Sequence, residues 1–302
     1  MINCSDPKKA DIVIIGANYD KTSSFGKGAD KGPAAILECL NRQVEVYERF
    51  SETEPALTKK ICYLSLTDIN KLSPEQMVND VSAAFKKHFN AGKFVIMLGG
   101  EHSISNGPFK ALAESGLAKD VTIVQIDAHS DLRNDDSDYN LKPWGKYAHS
   151  AVMRRGVELG FKTVQIGVRA YCKDEAEFIE KHKKSGQITI FEWGKWGNSK
   201  SDATKAKIPT VSEIIKSIKT EKVYLTIDVD GIDPSHMPAT GTPVQGGLEW
   251  YYTLELIRTL LREKNVVAAD IVEVAPRKGE SLTEYGAAQI CYNIIAEKRL
   301  KK

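Results

Sequence analysis

The chain has 302 residues, and its 42 Lys and Arg stand against 40 Asp and Glu, a net charge of +2. That balance lacks the basic excess with which nucleic-acid binders neutralise phosphates. A hydrophobic share of 42% and a charged share of 27% suit a chain that buries a core, not a disordered one. The five cysteines (Cys4, Cys39, Cys62, Cys172, Cys291) are scattered and form no CxxC. They argue against a disulfide framework or a thiolate zinc site, and for reduced thiols in the cytoplasm. The first nine residues are polar, without the apolar stretch of a signal peptide. No run approaches the ~18 apolar residues of a membrane span. The expectation is a soluble, cytoplasmic protein with neither nucleic acid nor membrane as partner.

Along the chain, short β-branched runs alternate with helical patterns. Residues 12–15 read as the first buried strand. Gly26-Lys27-Gly28 has the look of a phosphate loop but lacks the GxxxxGK[ST] spacing, so an ordinary turn before the helix after Gly32-Pro33 is the better reading. Ser73-Pro74-Glu75-Gln76 reads as a capped helix start, with Ser73 and Gln76 forming a capping box. Val78, Val81, Phe85 and Phe89 continue that helix towards Gly92, with His88 as a cation at its C-terminal end. Further strands are expected over 94–98, 121–126, 163–166, 223–227 and 271–274. They are nearly continuous apolar runs, as when both sheet faces are covered. Helices are expected over 210–218, 250–262 and 287–300, the last closing in a basic turn. The segments 134–146 and 192–207 read as long loops, which in compact domains are often functional. His182 falls in a solvated run of lysines, and Trp193 and Trp196 read as exposed packing or a subunit contact. Strand–helix alternation predicts a parallel α/β sheet. With no linker or repeat, residues 1–302 read as one domain.

Three strands run directly into acids and imidazoles. The run 94–98 leads into Gly99-Gly100-Glu101-His102-Ser103. The run 121–126 leads into Asp127-Ala128-His129-Ser130-Asp131. The run 223–227 leads into Asp228-Val229-Asp230-Gly231-Ile232-Asp233-Pro234. Ligands of open parallel sheets sit beyond the carboxyl ends of the strands. Alternate residues of an extended segment point the same way. Four carboxylates (Asp127, Asp131, Asp228, Asp230) and two imidazoles (His102, His129) can therefore converge. A lone Asp-x-Asp is ordinarily a turn, and a lone His beside a strand an ordinary core residue. Three such segments together are hard to explain that way. Four buried carboxylates need compensating charge. A pair of divalent cations supplies it, and the mixed His/carboxylate set suits manganese, iron, nickel or zinc better than calcium.

These segments resemble the signatures of the ureohydrolases, the arginase/agmatinase family. Pro238-Ala239-Thr240-Gly241-Thr242-Pro243, Gly246-Gly247-Leu248 and Asp270-Ile271-Val272-Glu273-Val274-Ala275-Pro276 extend the likeness. The resemblance implies a three-layer α/β/α fold with a central eight-stranded parallel sheet, and two manganese ions that support hydrolysis of a guanidinium to urea and an amine. It implies one ion held by His102, Asp127, Asp131 and Asp228, and the other by Asp127, His129, Asp228 and Asp230. Glu273 would hold the substrate cation and Asp131 would orient the attacking water. His149, followed by Arg154-Arg155 as in agmatinases, would protonate the leaving amine. His236 lies in a signature segment but off its ligand positions. Homo-oligomers, as trimers or hexamers, are implied by the family only.

The metal site sets the reaction, and loops must read the substrate's tail. Lys146-Tyr147-Ala148-His149-Ser150 departs from the arginase version of that loop, and Ile166-Gly167-Val168-Arg169 looks agmatinase-like. Agmatine is therefore the expected guanidino substrate, with Asp135, Asp136 and Asp138 as candidate attractors of its ammonium. A guanidinobutyrate tail would instead want Arg133, Lys142 or Lys146, and arginase activity is a further alternative. Lys27 and Lys31 stand where agmatinases often have Arg, and the two residue types are not interchangeable at bidentate contacts. A non-catalytic metal-binding subunit is the reading from another class.

Overall fold

The strands form where β-branched and apolar residues run together. In this computed structural model, which describes residues 1–194 and 208–300, they make one parallel sheet. Its strands are β1 (Ile12–Ala17), β2 (Ile61–Leu66), β3 (Phe94–Gly99), β4 (Val121–Ile126), β5 (Lys162–Val168), β6 (Ile188–Glu192), β7 (Lys222–Asp228) and β8 (Asn265–Val272). The order is β2-β1-β3-β8-β7-β4-β5-β6, eight strands with every pair parallel. The helices are α1 (Gly32–Arg42), α2 (Pro55–Thr58), α3 (Pro74–Phe89), α4 (Asn106–Glu114), α5 (Val152–Glu158), α6 (Lys173–Lys184), α7 (Val211–Ser217), α8 (Trp250–Glu263) and α9 (Leu282–Glu297).

Side-chain alternation divides the core into two layers. Ile12 and Ile14 pack with residues of α1, α7, α8 and α9, while Val13 and Ile15 pack with residues of α3, α4, α5 and α6. Both faces of the sheet are thus covered, which is why the central strands carry so little polar character. Among the described residues no helix is long and apolar enough to cross a membrane.

The expected capping box of α3 is present: Gln76 donates its N–H to Ser73 Oγ at 3.3 Å and Gln76 Oε1 accepts from Ser73 N at 3.1 Å. Several expectations need correction. β2 and β6 emerge where no strand was expected, at the two edges of the sheet. β8 begins six residues early, at Asn265. The last helix covers Leu282–Glu297 and holds no basic residue in its last turn, so the basic segment lies past it. His88 is only 7% exposed. Burial and the charges of Lys87 and Lys93 lower its pKa, so it is not the expected helix-end cation. His182 packs against Phe178 within α6 in a tilted ring contact, with centroids 3.9 Å apart. Trp193 is buried, its Nε1 donating to Gly247 O at 3.1 Å, and not exposed packing. Trp196 lies outside the described residues.

Candidate metal centre

The four central strands of the sheet, β3, β8, β7 and β4, deliver the site. His102 follows β3, Glu273 follows β8, Asp228 ends β7 with Asp230 just beyond, and Asp127, His129 and Asp131 follow β4. Segments 171 residues apart therefore meet: the His102 N–H donates to Glu273 Oε1 at 2.9 Å.

Two sets of side chains are each close enough to hold a metal ion, the buried His102/Asp127/Asp228 and the set Asp127/His129/Asp230, in which His129 is partly exposed; Asp127 is in both. His102 Nδ1 has the Asp127 and Asp131 carboxylates at 3.1 Å each and Asp228 at 3.3 Å. This buried nitrogen nevertheless makes no hydrogen bond. His129 Nδ1 has Asp230 Oδ2 at 3.1 Å and Asp127 Oδ1 at 3.6 Å. The electrostatics ask for positive charge. Burial opposes charging His102, but Asp127, Asp131 and Asp228 outweigh it and push its pKa well above the usual imidazole range. In the same way Asp230 and Asp127 lift His129 to about 12. Burial and the charges of Asp230 and Asp127 push Asp228 well above the usual carboxylate range. An orphaned imidazole nitrogen facing crowded carboxylates, with no thiolate among the donors, fits divalent transition-metal ligation.

The backbone is shaped around this cluster. Asp131 (φ 51°) and Glu273 (φ 65°) both adopt the left-handed region, uncommon for residues with a side chain. Gly231 lies so near Asp127 that a Cβ there would fall 2.5 Å from the Asp127 nitrogen. The Asp230 carboxylate accepts the Ala128 N–H at 3.0 Å and the Thr242 hydroxyl at 3.1 Å.

Beside the cluster opens a cavity of about 500 Å³, lined by His129, Asp131, Asp228 and Asp230 at its base and by His149, Ser24, Tyr139, Tyr171 and Glu175 on its walls. His149 Nδ1 lies 3.1 Å from Glu273 Oε1, and its Nε2 lies 3.1 Å from Ser24 Oγ and 3.3 Å from Ser24 N. Burial lowers the His149 pKa, but Glu273, Glu101 and Asp131 more than reverse this and raise it to about 9. Glu273 is 2% exposed and sits behind His149, not on the cavity wall. His236 is away from the cavity and pairs with Glu249 at 3.1 Å.

A model of the arginase family matches residues 10–296. The chain belongs to the arginase family. It is 37% identical to the N(1)-aminopropylagmatine ureohydrolase of Synechocystis, over 95% of this chain and 88% of that protein. It is 31% identical to the agmatinase of Bacillus anthracis, over 89% and 85% of the two chains. Among solved structures, the agmatine ureohydrolase of Thermoplasma volcanium superposes with a TM-score of 0.79 at 29% identity, over 97% and 92%. The sheet is that of the arginase fold, and the protein is a ureohydrolase, a hydrolytic enzyme.

Several residues that shape this ureohydrolase site carry no local sequence signal. Gln125 donates to Asp127 Oδ2 at 2.6 Å, and its own carbonyl accepts from Gln165, its register partner on β5. Glu175 accepts from Ser130 Oγ at 2.6 Å, Leu132 N at 3.0 Å and Cys172 N at 2.8 Å. Glu101 anchors the segment holding Ser24 by accepting from Thr22 N at 3.1 Å and Thr22 Oγ1 at 2.6 Å. The expected acidic attractors are used within their own loop. Asp136 is fully buried and accepts from Trp144 N and Gly145 N, Asp135 accepts from Ser137 N, and Asp138 pairs with Arg133. Lys27 is likewise structural, donating to the Ser23 carbonyl at 2.9 Å.

Proposed function

We propose that this ureohydrolase cleaves a guanidino compound whose far end is a cationic amine, N(1)-aminopropylagmatine ahead of agmatine, releasing urea. The observation that carries this is the lack of a free cation among the described residues of the cavity: its one lining arginine, Arg133, is engaged by Asp138 and lies 3.7 Å from Glu175. A carboxylate tail would find no uncommitted cation among these lining residues, which counts against guanidinobutyrate and arginine. Tyr171 adds an aromatic ring beside which an alkylammonium chain can lie, whereas the Tyr139 ring already carries the Arg133 guanidinium, 5.1 Å from its centroid. The 37% identical Synechocystis protein bears the name of the longer substrate.

In this reading His102, Asp127, Asp131 and Asp228 would hold one manganese ion, and Asp127, His129, Asp228 and Asp230 would hold the other. When bound, the ion pair neutralises the carboxylates and supplies a water acidic enough to act as nucleophile near neutral pH. Asp131, on the cavity lining, would orient the attacking water by accepting a hydrogen bond from it. Glu273 fixes His149 through Nδ1, leaving Nε2 towards Ser24 and the cavity. A protonated Nε2 donates to Ser24 Oγ until it passes the proton to the leaving amine. After transfer, the bare Nε2 accepts the Ser24 N–H. A cytoplasmic location and homo-oligomeric assembly as a trimer or hexamer belong to the same reading, with the family as their support.

The test is urea release by manganese-loaded enzyme from N(1)-aminopropylagmatine, agmatine, arginine and guanidinobutyrate at equal concentration. The expected result is the largest kcat/KM for the first, with agmatine next. A preference for arginine or guanidinobutyrate would overturn the cationic-tail reading. Two bound ions without urea from any of the four would place the substrate among other guanidino compounds and overturn this substrate reading.

A further inference from the structure

His102 is gripped from behind as well as faced by carboxylates. Its Nε2 lies 2.9 Å from Thr226 Oγ1, both groups being fully buried. Thr226 on β7 is the register partner of Asp270 on β8. Asp270 is itself fully buried, and none of the site chemistry above uses it. Its Oδ2 accepts from Ser105 Oγ at 2.7 Å and from Tyr224 OH at 2.8 Å. Its Oδ1 makes no hydrogen bond, and its register partner Thr226 carries the neighbouring hydroxyl.

The direction of each bond follows from the groups. A carboxylate only accepts, so hydroxyls around it must donate. A Thr226 hydroxyl whose proton goes to Asp270 has lone pairs left for His102. The proton of the His102 ring then sits on Nε2, and Nδ1 keeps the lone pair that faces Asp127, Asp131 and Asp228. His129 is placed differently: its side chain is 29% exposed and it lines the cavity.

We propose that Asp270, acting through Thr226, is a positioning residue that fixes the ring tautomer of His102 and so governs one of the two metal ions and not the other. This rests on the metal reading above. Outer partners of metal-bound imidazoles typically change affinity by about 10–100-fold.

The test uses full-length protein titrated with manganese against a chelator, with bound metal counted and the manganese paramagnetic resonance spectrum recorded. Thr226→Val removes the hydroxyl at nearly constant shape, Thr226→Ser restores it, and Asp270→Asn removes the acceptor charge. The expected result is about a 10–100-fold loss of affinity for one ion in Thr226→Val and Asp270→Asn. The spectrum of a coupled pair should give way to that of a single ion, with recovery in Thr226→Ser. Two ions bound at wild-type affinity in Thr226→Val would overturn the relay alone. Equal weakening of both ions, with a lowered melting temperature of the metal-free protein, would overturn it in favour of simple packing. Should Asp270→Asn fail to fold, the Thr226 pair decides. A wild-type chain that takes up fewer than two ions would overturn the metal reading beneath it.

Discussion

One oxygen of Glu273 serves two masters: Oε1 lies 3.1 Å from His149 Nδ1 and accepts the His102 N–H at 2.9 Å. The proposed acid and the proposed metal ligand are thereby set in one frame. Because Glu273 raises His149 to about 9, its imidazolium should persist well above neutral pH. Turnover that needs the proton should therefore fall as pH rises through about 9. His149→Ala should cut kcat by about 10²–10⁴-fold while both ions stay bound. Glu273→Gln should move the alkaline limb to lower pH, because the charge that raises His149 is gone. A kcat–pH profile that is the same in Glu273→Gln and wild type would refute this pairing.

Metal removal should weaken the fold as well as end catalysis. Without an ion, Asp127, Asp228 and Asp230 stand together with little water, and Asp228 answers by holding its proton far more tightly than usual. Ions present at about 100 times their Kd would add roughly 2.7 kcal/mol of stability. Chelation should lower the melting temperature accordingly. Asp228→Asn should abolish urea release and bind less metal, yet its metal-free form should melt no lower than metal-free wild type. A much lower melting point would show that the carboxylate stabilises the fold in its own right.

His88 should set part of the acid limit of stability. Its folded-state pKa is depressed by burial, with Lys87 and Lys93 adding repulsion. The sign follows: stability is full above the ordinary imidazole pKa of about 6.5 and is lost as pH falls from there towards the depressed value, by at most about 1.4 kcal/mol per pH unit. His88→Gln, which cannot charge, should flatten the dependence of denaturation midpoint on pH below about 6.5. An unchanged slope would place the sensitivity elsewhere.

What was legible in the sequence was contiguous. The strand ends carrying His102, Asp127–Asp131 and Asp228–Asp230 could be read because apolar runs stop abruptly at their ligands. That they meet depends on β3, β8, β7 and β4 being neighbours, which local pattern does not state. The edge strands were hidden because their residues are only partly buried: most positions of β2 beyond Cys62 and of β6 beyond Ile188 are half-exposed. The start of β8 is hard to read because only Lys264 separates it from α8, and the small Ala268 and Ala269 and the charged Asp270 interrupt its apolar run. Gln125, Glu175 and Asp270 act through partners on other elements, and an isolated Gln, Glu or Asp has no spacing to betray it. The acidic loop misled for a related reason: counted as charge it looked like a lure, but its geometry spends Asp136 on backbone N–H groups.

Arg169 shows how far an agmatinase-like segment can serve structure. Its guanidinium makes bonds only to carbonyls: Asp230 O at 2.7 Å, Gly231 O at 3.1 Å, Gly167 O at 3.0 Å, Val244 O at 2.6 Å and Gln245 O at 3.1 Å. Two of those carbonyls belong to the turn that aims the Asp230 side chain. Lysine keeps the charge but offers one compact ammonium in place of a planar fork, so several of these carbonyls would lose their donor. Each partly buried carbonyl left without one costs about 1–3 kcal/mol. Arg169→Lys should therefore lower the melting temperature and weaken manganese retention together, with kcat falling more than KM rises. If it instead melts like wild type and changes only KM, Arg169 reads the substrate and the structural account of it is wrong.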